Sequence, residues 1–127
     1  MEIEARIWMV LASLNGLLGV AAGAFGAHGV SDPQAKAWLQ TGGHYQLVHA
    51  LAVFACVFLW RLGGSTAQLA AWLFLAGSAT FAGTLYAMAL GGPRSLGAVT
   101  PVGGVLLILG WAALAWTALT GARSTLI

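Results

Sequence analysis

Very little in this chain is charged: Glu2, Glu4, Arg6, Asp32, Lys36, Arg61, Arg94 and Arg123 are its only Asp, Glu, Lys or Arg residues, eight of 127. Soluble domains carry roughly 25% charged residues, so an ordinary water-exposed surface is excluded. The pI of 9.2 looks basic, but it rests on a net charge of +2 with no two basic residues adjacent. That excludes an electrostatic surface for nucleic acid. Cysteine is nearly absent as well. Cys56 stands alone in an apolar segment, so no intrachain disulfide forms, and the residue reads as a small buried hydrophobe.

Catalytic signatures are also missing. The sequence has no Walker loop, no HExxH and no GxSxG, and no acidic residue lies inside a long apolar stretch to act as general base or proton relay. That argues against a hydrolase or proton pump. The expectation is a protein that is not an enzyme, with no catalytic residue and no metal site to nominate.

What is present is apolar sequence, 60% of all residues. The sparse charges leave four long uncharged stretches, each able to cross a bilayer, which takes about 20 apolar residues. The predicted spans are 7–29, 44–60, 68–90 and 100–119. Backbone polar groups in hydrocarbon must be satisfied within their own segment, so segments of this length are helices. The predicted fold is all-α: an integral membrane four-helix up-and-down bundle, forming a single four-span domain over residues 1–127. A cleaved signal peptide is the rival reading of the first stretch, because residues 22–24 are small. Glu2 and Glu4 in the leading segment, and an apolar run longer than the usual ~7–15 residues, oppose it.

Between spans one and two lies SDPQAKAWLQTGG. Ser31 or Asp32 can cap a helix there, Pro33 suits its first turn, and Gln34 completes a capping-box spacing with Ser31. This predicts a short interfacial helix anchored by Trp38, continuous with span two if Gly42 and Gly43 merely bend it. The connections at 61–67 and 91–98 are short and rich in turn residues, as antiparallel neighbours require. Both termini and Arg61 then share one side, Lys36 and Arg94 the other. Three basic residues against two place the termini in the cytoplasm.

Glycines recur along the spans. Gly19, Gly23, Gly26, Gly83, Gly103 and Gly104 are the candidates for close helix packing, with Gly19 and Gly23 in GxxxG spacing. The same spacing serves packing inside the bundle or a dimer face, so a homo-oligomer or a membrane-protein partner stays open beside the lipid bilayer itself.

The candidate site comes from following each helix's direction. His44 and His49 are five residues apart, roughly 140° beyond a full turn, so they cannot hold one ion jointly. His49 lies about 8 Å deeper than His44. An ionisable side chain within a span points to function or to a hydrogen bond between helices. The end of span one, the start of span two, the end of span three and the start of span four share one leaflet. They bring His28, Tyr45, Gln46, His49, Tyr86 and Thr100 toward one ligand-binding site, with Thr84 beside them. Thr100 is expected to cap span four with Pro101 in its first turn. The opposite half offers little beyond Thr117, with Ser13 and Asn15 nearer that side.

The motifs GAFGAHGV (23–30), WLQTGGHYQLVHALAV (38–53), FAGTLYAMAL (81–90) and VTPVGGVLLILGW (99–111) resemble a family of small four-span inner-membrane proteins. Its bacterial members are known as a domain of unknown function, and its eukaryotic members as transmembrane protein 256. The matching positions are Gly23, Gly26, His28, Tyr45, Gln46, His49, Leu85, Tyr86, Thr100, Pro101, Gly103 and Gly104. His44 falls outside that pattern, and Ala82 stands where a serine is usual. The resemblance implies the four-helix fold and a bacterial inner-membrane address, and it brings no activity, substrate or cofactor.

Function is therefore expected to be that of an accessory or small-ligand- or lipid-binding membrane protein, its cofactor unknown. A redox-linked protein, holding quinone or haem through His28 and His49 with Lys36 or Arg94 for propionates, is one alternative. An oligomeric small-solute channel or transporter is another.

Overall fold

A computed structural model describes residues 2–121; Arg123, which the charge count above uses, lies outside them. Four helices follow in order: α1 Ile3–His28, α2 Pro33–Arg61, α3 Ala67–Ala89 and α4 Thr100–Thr120, with a 3₁₀ helix Arg94–Ala98 leading into α4. All four spans are helical and apolar enough to cross a membrane. The largest departure from the expected boundaries is in the second span.

The segment from Pro33 does not form a separate interfacial helix. It makes the first turns of α2, which runs 29 residues without a break. Asp32 caps it through its carboxylate, which accepts from Ala35 N at 2.9 Å, and Pro33 occupies the first turn. With Asp32 as the cap, the Ser31–Gln34 capping box does not arise. Gly42 and Gly43 do not break the helix because each is a contact point. A Cβ on Gly43 would lie 2.6 Å from Gly19 O, and one on Gly42 would lie 2.6 Å from the Tyr86 ring.

Lys36 locks α1 to this long helix. Its ammonium donates to the carbonyls of Gly26 and Ala27, both at 2.8 Å, satisfying orphan acceptors at the negative end of the α1 dipole. The turns after α2 and α3 are sharper. Each needs a left-handed residue, supplied by Gly63 at φ 96° and Gly91 at φ 100°.

Each helix packs chiefly on its neighbours in sequence. α1 lies on α2, α2 on α3 and α3 on α4, while α1 and α4 do not touch among the described residues. The up-and-down bundle is thus an open, staggered array with α2 and α3 in the middle. Its apolar core sits toward the end holding the N-terminus, where Trp8 and Ala12 of α1 meet Val53 and Cys56 of α2 and Phe74 of α3. α1 also reaches α3 there through an edge-on contact of Trp8 and Trp72, ring centroids 5.0 Å apart. Lipid tails are as apolar as these side chains, so the association rests on close packing and on hydrogen bonds rather than on the hydrophobic effect.

Candidate functional site

Successive turns of α2 aim Gln46 and His49 at different neighbours. Gln46, 5% exposed, turns toward α1 and α3. His49, also 5% exposed, turns toward α4. Both sit near the middle of the 29-residue helix.

The Gln46 arrangement begins with a glycine crossing. Gly19 and Gly43 bring the α1 and α2 backbones together, and Asn15, one turn from Gly19, comes within reach of Gln46. Asn15 Nδ2 donates to the Gln46 carbonyl at 3.2 Å. A carbonyl only accepts, so this bond fixes the Asn15 amide and turns its Oδ1 toward Gln46. Gln46 Nε2 donates to that oxygen at 2.8 Å. The Gln46 Oε1 is left as acceptor, and Tyr86 Oη donates to it at 2.7 Å. Gly42, lacking a Cβ, gives the Tyr86 ring its seat. Three helices are tied by one ordered chain of donors and acceptors.

His49 is ordered by the same reasoning. The Trp111 indole, which can only donate, gives its N–H to His49 Nε2 at 3.0 Å. Nε2 is therefore the acceptor, and the proton sits on Nδ1, 2.6 Å from the Tyr45 carbonyl. The ring is neutral and both nitrogens are engaged. Tyr45 stacks on it with ring planes 16° apart, and Phe74 and Trp111 complete an aromatic wall.

The remaining residues expected at one site lie elsewhere. Thr100 is the first residue of α4 rather than its cap. Its hydroxyl pairs with Thr84 at 2.7 Å and donates to Leu96 O at 3.2 Å, because the 3₁₀ helix runs directly into α4 and covers that helix start. His28 is exposed at the end of α1. The α1–α2 register, with Gly16 against Ala50 and Gly26 against Leu39, sets His28 about 18 Å along the axis from His49. The two histidines expected at comparable depth are separated, and shared haem ligation by them has no geometric basis. The structure thus distributes the six residues over a Gln46–Tyr86 chain, a Tyr45–His49 pair, Thr100 and His28.

Two members escape sequence reasoning. Asn15 is visible as an amide inside span one, but sorting polar groups by leaflet sets it apart from Gln46. Trp111 reads as one more apolar residue of span four. Of the glycines, Gly19, Gly26 and Gly103 lie against neighbouring helices, Gly104 makes only ordinary contact, and the Cβ directions of Gly23 and Gly83 are open, although the Gly23 backbone lies against Gly43.

Gly83 opens onto a cleft of about 470 Å³ between α1 and α3, lined by Leu18, Ala22, Phe25, Leu39, Ala79 and Leu90, with Gln46 and Tyr86 in its floor. A second cavity of about 410 Å³ continues it past Asn15 toward Trp72, sharing Leu18, Gln46 and Ala79. The hydrogen-bonded chain is the polar floor of a long apolar cleft.

Fold and site together define a small four-span membrane protein with an amide–phenol chain linking its first three helices. Its residues 22–104 match a family described as "Protein of unknown function (DUF423)". The chain is 40% identical to the UPF0382 membrane protein YwdK of Bacillus subtilis, over 84% of this chain and 90% of that one. It is 38% identical to the UPF0382 inner membrane protein YgdD of Escherichia coli, over 87% of each. It is 37% identical to a UPF0382 membrane protein of Haemophilus influenzae, over 86% and 90%. No solved structure matches it. The chain belongs to the DUF423 family of membrane proteins.

Proposed function

We propose that this protein is an accessory membrane protein that binds an amphiphilic small molecule or lipid in the cleft between α1 and α3. The observation that carries the reading is the cleft's composition: apolar walls with small residues, open at Gly83, over a floor holding Gln46 and Tyr86. Sites for small molecules combine apolar walls with a few fixed polar groups in this way. Gln46 keeps one N–H beyond its bond to Asn15, which gives the floor a donor for a ligand's oxygen.

A lipid analogue carrying a photoactivatable group in its tail tests this. Labelling concentrated on Leu18 and the Ala79–Tyr86 face of α3 is expected, and labelling spread evenly over the outward faces of all four helices would defeat the reading.

The chain works as one folded unit in the bacterial inner membrane, with both termini in the cytoplasm. The relative named an inner membrane protein and the excess of basic residues on the terminal side support that placement. Reporter fusions to the C-terminus, active only in the cytoplasm, check the orientation. An accessory role also calls for a membrane-protein partner or a second copy, which cross-linking in intact membranes would capture.

A further inference from the structure

We infer that the cleft holds one acyl chain of an anionic phospholipid whose phosphate is bound by Arg94. This rests on the cleft reading above and adds the class of ligand and the residue that selects it.

Length is the first argument. From Ala79 to Leu90, the α3 wall of the larger cavity rises about 16 Å at ~1.5 Å per residue. One leaflet of hydrocarbon is about 15 Å, half of the ~30 Å core. The cavity therefore has the depth of a single acyl chain, and it runs from mid-membrane to the end bordered by Leu39 and Leu90.

Charge at that end is the second. Trp38 directly precedes Leu39, and Arg94 follows Leu90 by about one helical turn's worth of chain. The Arg94 guanidinium lies 5.5 Å over the Trp38 ring. Tryptophan favours headgroup depth, so this contact holds a cation at the level of lipid phosphates. A guanidinium matches a phosphate with two parallel hydrogen bonds.

Among the described residues, Arg94 has no carboxylate partner. Glu2 pairs with Arg61 and Glu4 accepts from Gln68 at the opposite end, while Asp32 caps α2. Lys36, the other cation at this end, already donates to Gly26 and Ala27. Arg94 is left as the group to meet an external anion.

The test uses the full chain in nanodiscs of equimolar phosphatidylglycerol and phosphatidylethanolamine, with native mass spectrometry reading the lipids retained after release. One retained lipid, with phosphatidylglycerol preferred, is expected. Arg94→Gln should reduce that preference about tenfold, the scale of one charge-assisted hydrogen bond, while a lipid is still retained. Gly83→Leu, or Ala79→Leu should the first variant fail to fold by circular dichroism, should fill the cleft and abolish retention.

Phosphatidylethanolamine carries the same phosphate but offsets it with its own ammonium, so an unchanged preference in Arg94→Gln overturns Arg94 as the group that selects an anionic lipid and leaves the cleft reading standing. Unchanged retention in the filled variants defeats the cleft reading itself, since the retained molecules are then ordinary surrounding lipid. Millimolar inorganic phosphate should not displace the lipid. Displacement would mean that free phosphate, not a lipid headgroup, is the anion recognised.

Discussion

The Gln46 amide joins two helices, donating to Asn15 Oδ1 and accepting from Tyr86 Oη, while Asn15 Nδ2 also donates to the Gln46 backbone carbonyl. Gln46→Leu keeps the volume roughly constant and keeps the backbone carbonyl that Asn15 Nδ2 meets, but it leaves Asn15 Oδ1 and the Tyr86 hydroxyl without their partner, which costs about 1–3 kcal/mol. Unfolding in mixed micelles should show that loss. A double-mutant cycle of Asn15→Leu with Gln46→Leu should return a smaller coupling, about 0.6 kcal/mol, because chains unfolded within the membrane find alternative partners. His49 makes a different kind of prediction. Its Nδ1–H tautomer follows from a tryptophan that can only donate, so ¹⁵N spectra should show Nδ1 protonated and Nε2 bare. Trp111→Phe removes the donor, and the two nitrogen signals should move toward each other as the tautomers mix. None of this ordering is legible from residue types alone. The sequence identifies Gln46 and His49 as polar groups within a span, but whether they share partners depends on 60° of rotation between neighbouring helix faces.

At the scale of the helix, glycine positions that look alike in sequence divide sharply. Gly43→Ala would drive a methyl group into the α1 backbone at Gly19, and overpacking of this kind costs about 1–3 kcal/mol. Gly23→Ala meets nothing within 4 Å and should be neutral or stabilising by up to ~1 kcal/mol, the difference in helix propensity. Thermal unfolding of the two variants side by side checks the contrast. The Gly19–Gly23 spacing lies within α1, and what stands against both of its glycines is Gly43 of α2, whose Cβ position is 2.6 Å from Gly19 O and 3.0 Å from Gly23 N. Contact is made between helices, so a motif within one helix locates only half of it. Span two shows the same limit. Its charge-free core is readable, but Gly42 and Gly43 interrupt the pattern where a helix could bend, and only their contacts with Tyr86 and Gly19 explain why α2 stays continuous to Pro33.

For the whole molecule, the open array predicts which helices can be cross-linked. An ideal Cβ on Gly16 lies 3.6 Å from the Ala50 Cβ, close to the ~3.8 Å of a disulfide. Gly16→Cys with Ala50→Cys, in a Cys56→Ala background, should oxidise readily. Pairs between α1 and α4, such as Leu18→Cys with Leu109→Cys, should not, whereas a closed bundle with α1 beside α4 would join them. Composition alone determined that this chain is a four-span helical membrane protein. With charge confined to a few positions, every apolar stretch must satisfy its backbone internally, and only helices of bilayer length do so. Tertiary structure decided what those helices enclose. Which polar residues meet, which glycines touch, and the presence of a cleft between α1 and α3 depend on rotation and register. In a lipid-like medium no amphipathic pattern records those choices, because the side facing the bilayer is as apolar as the side facing the protein.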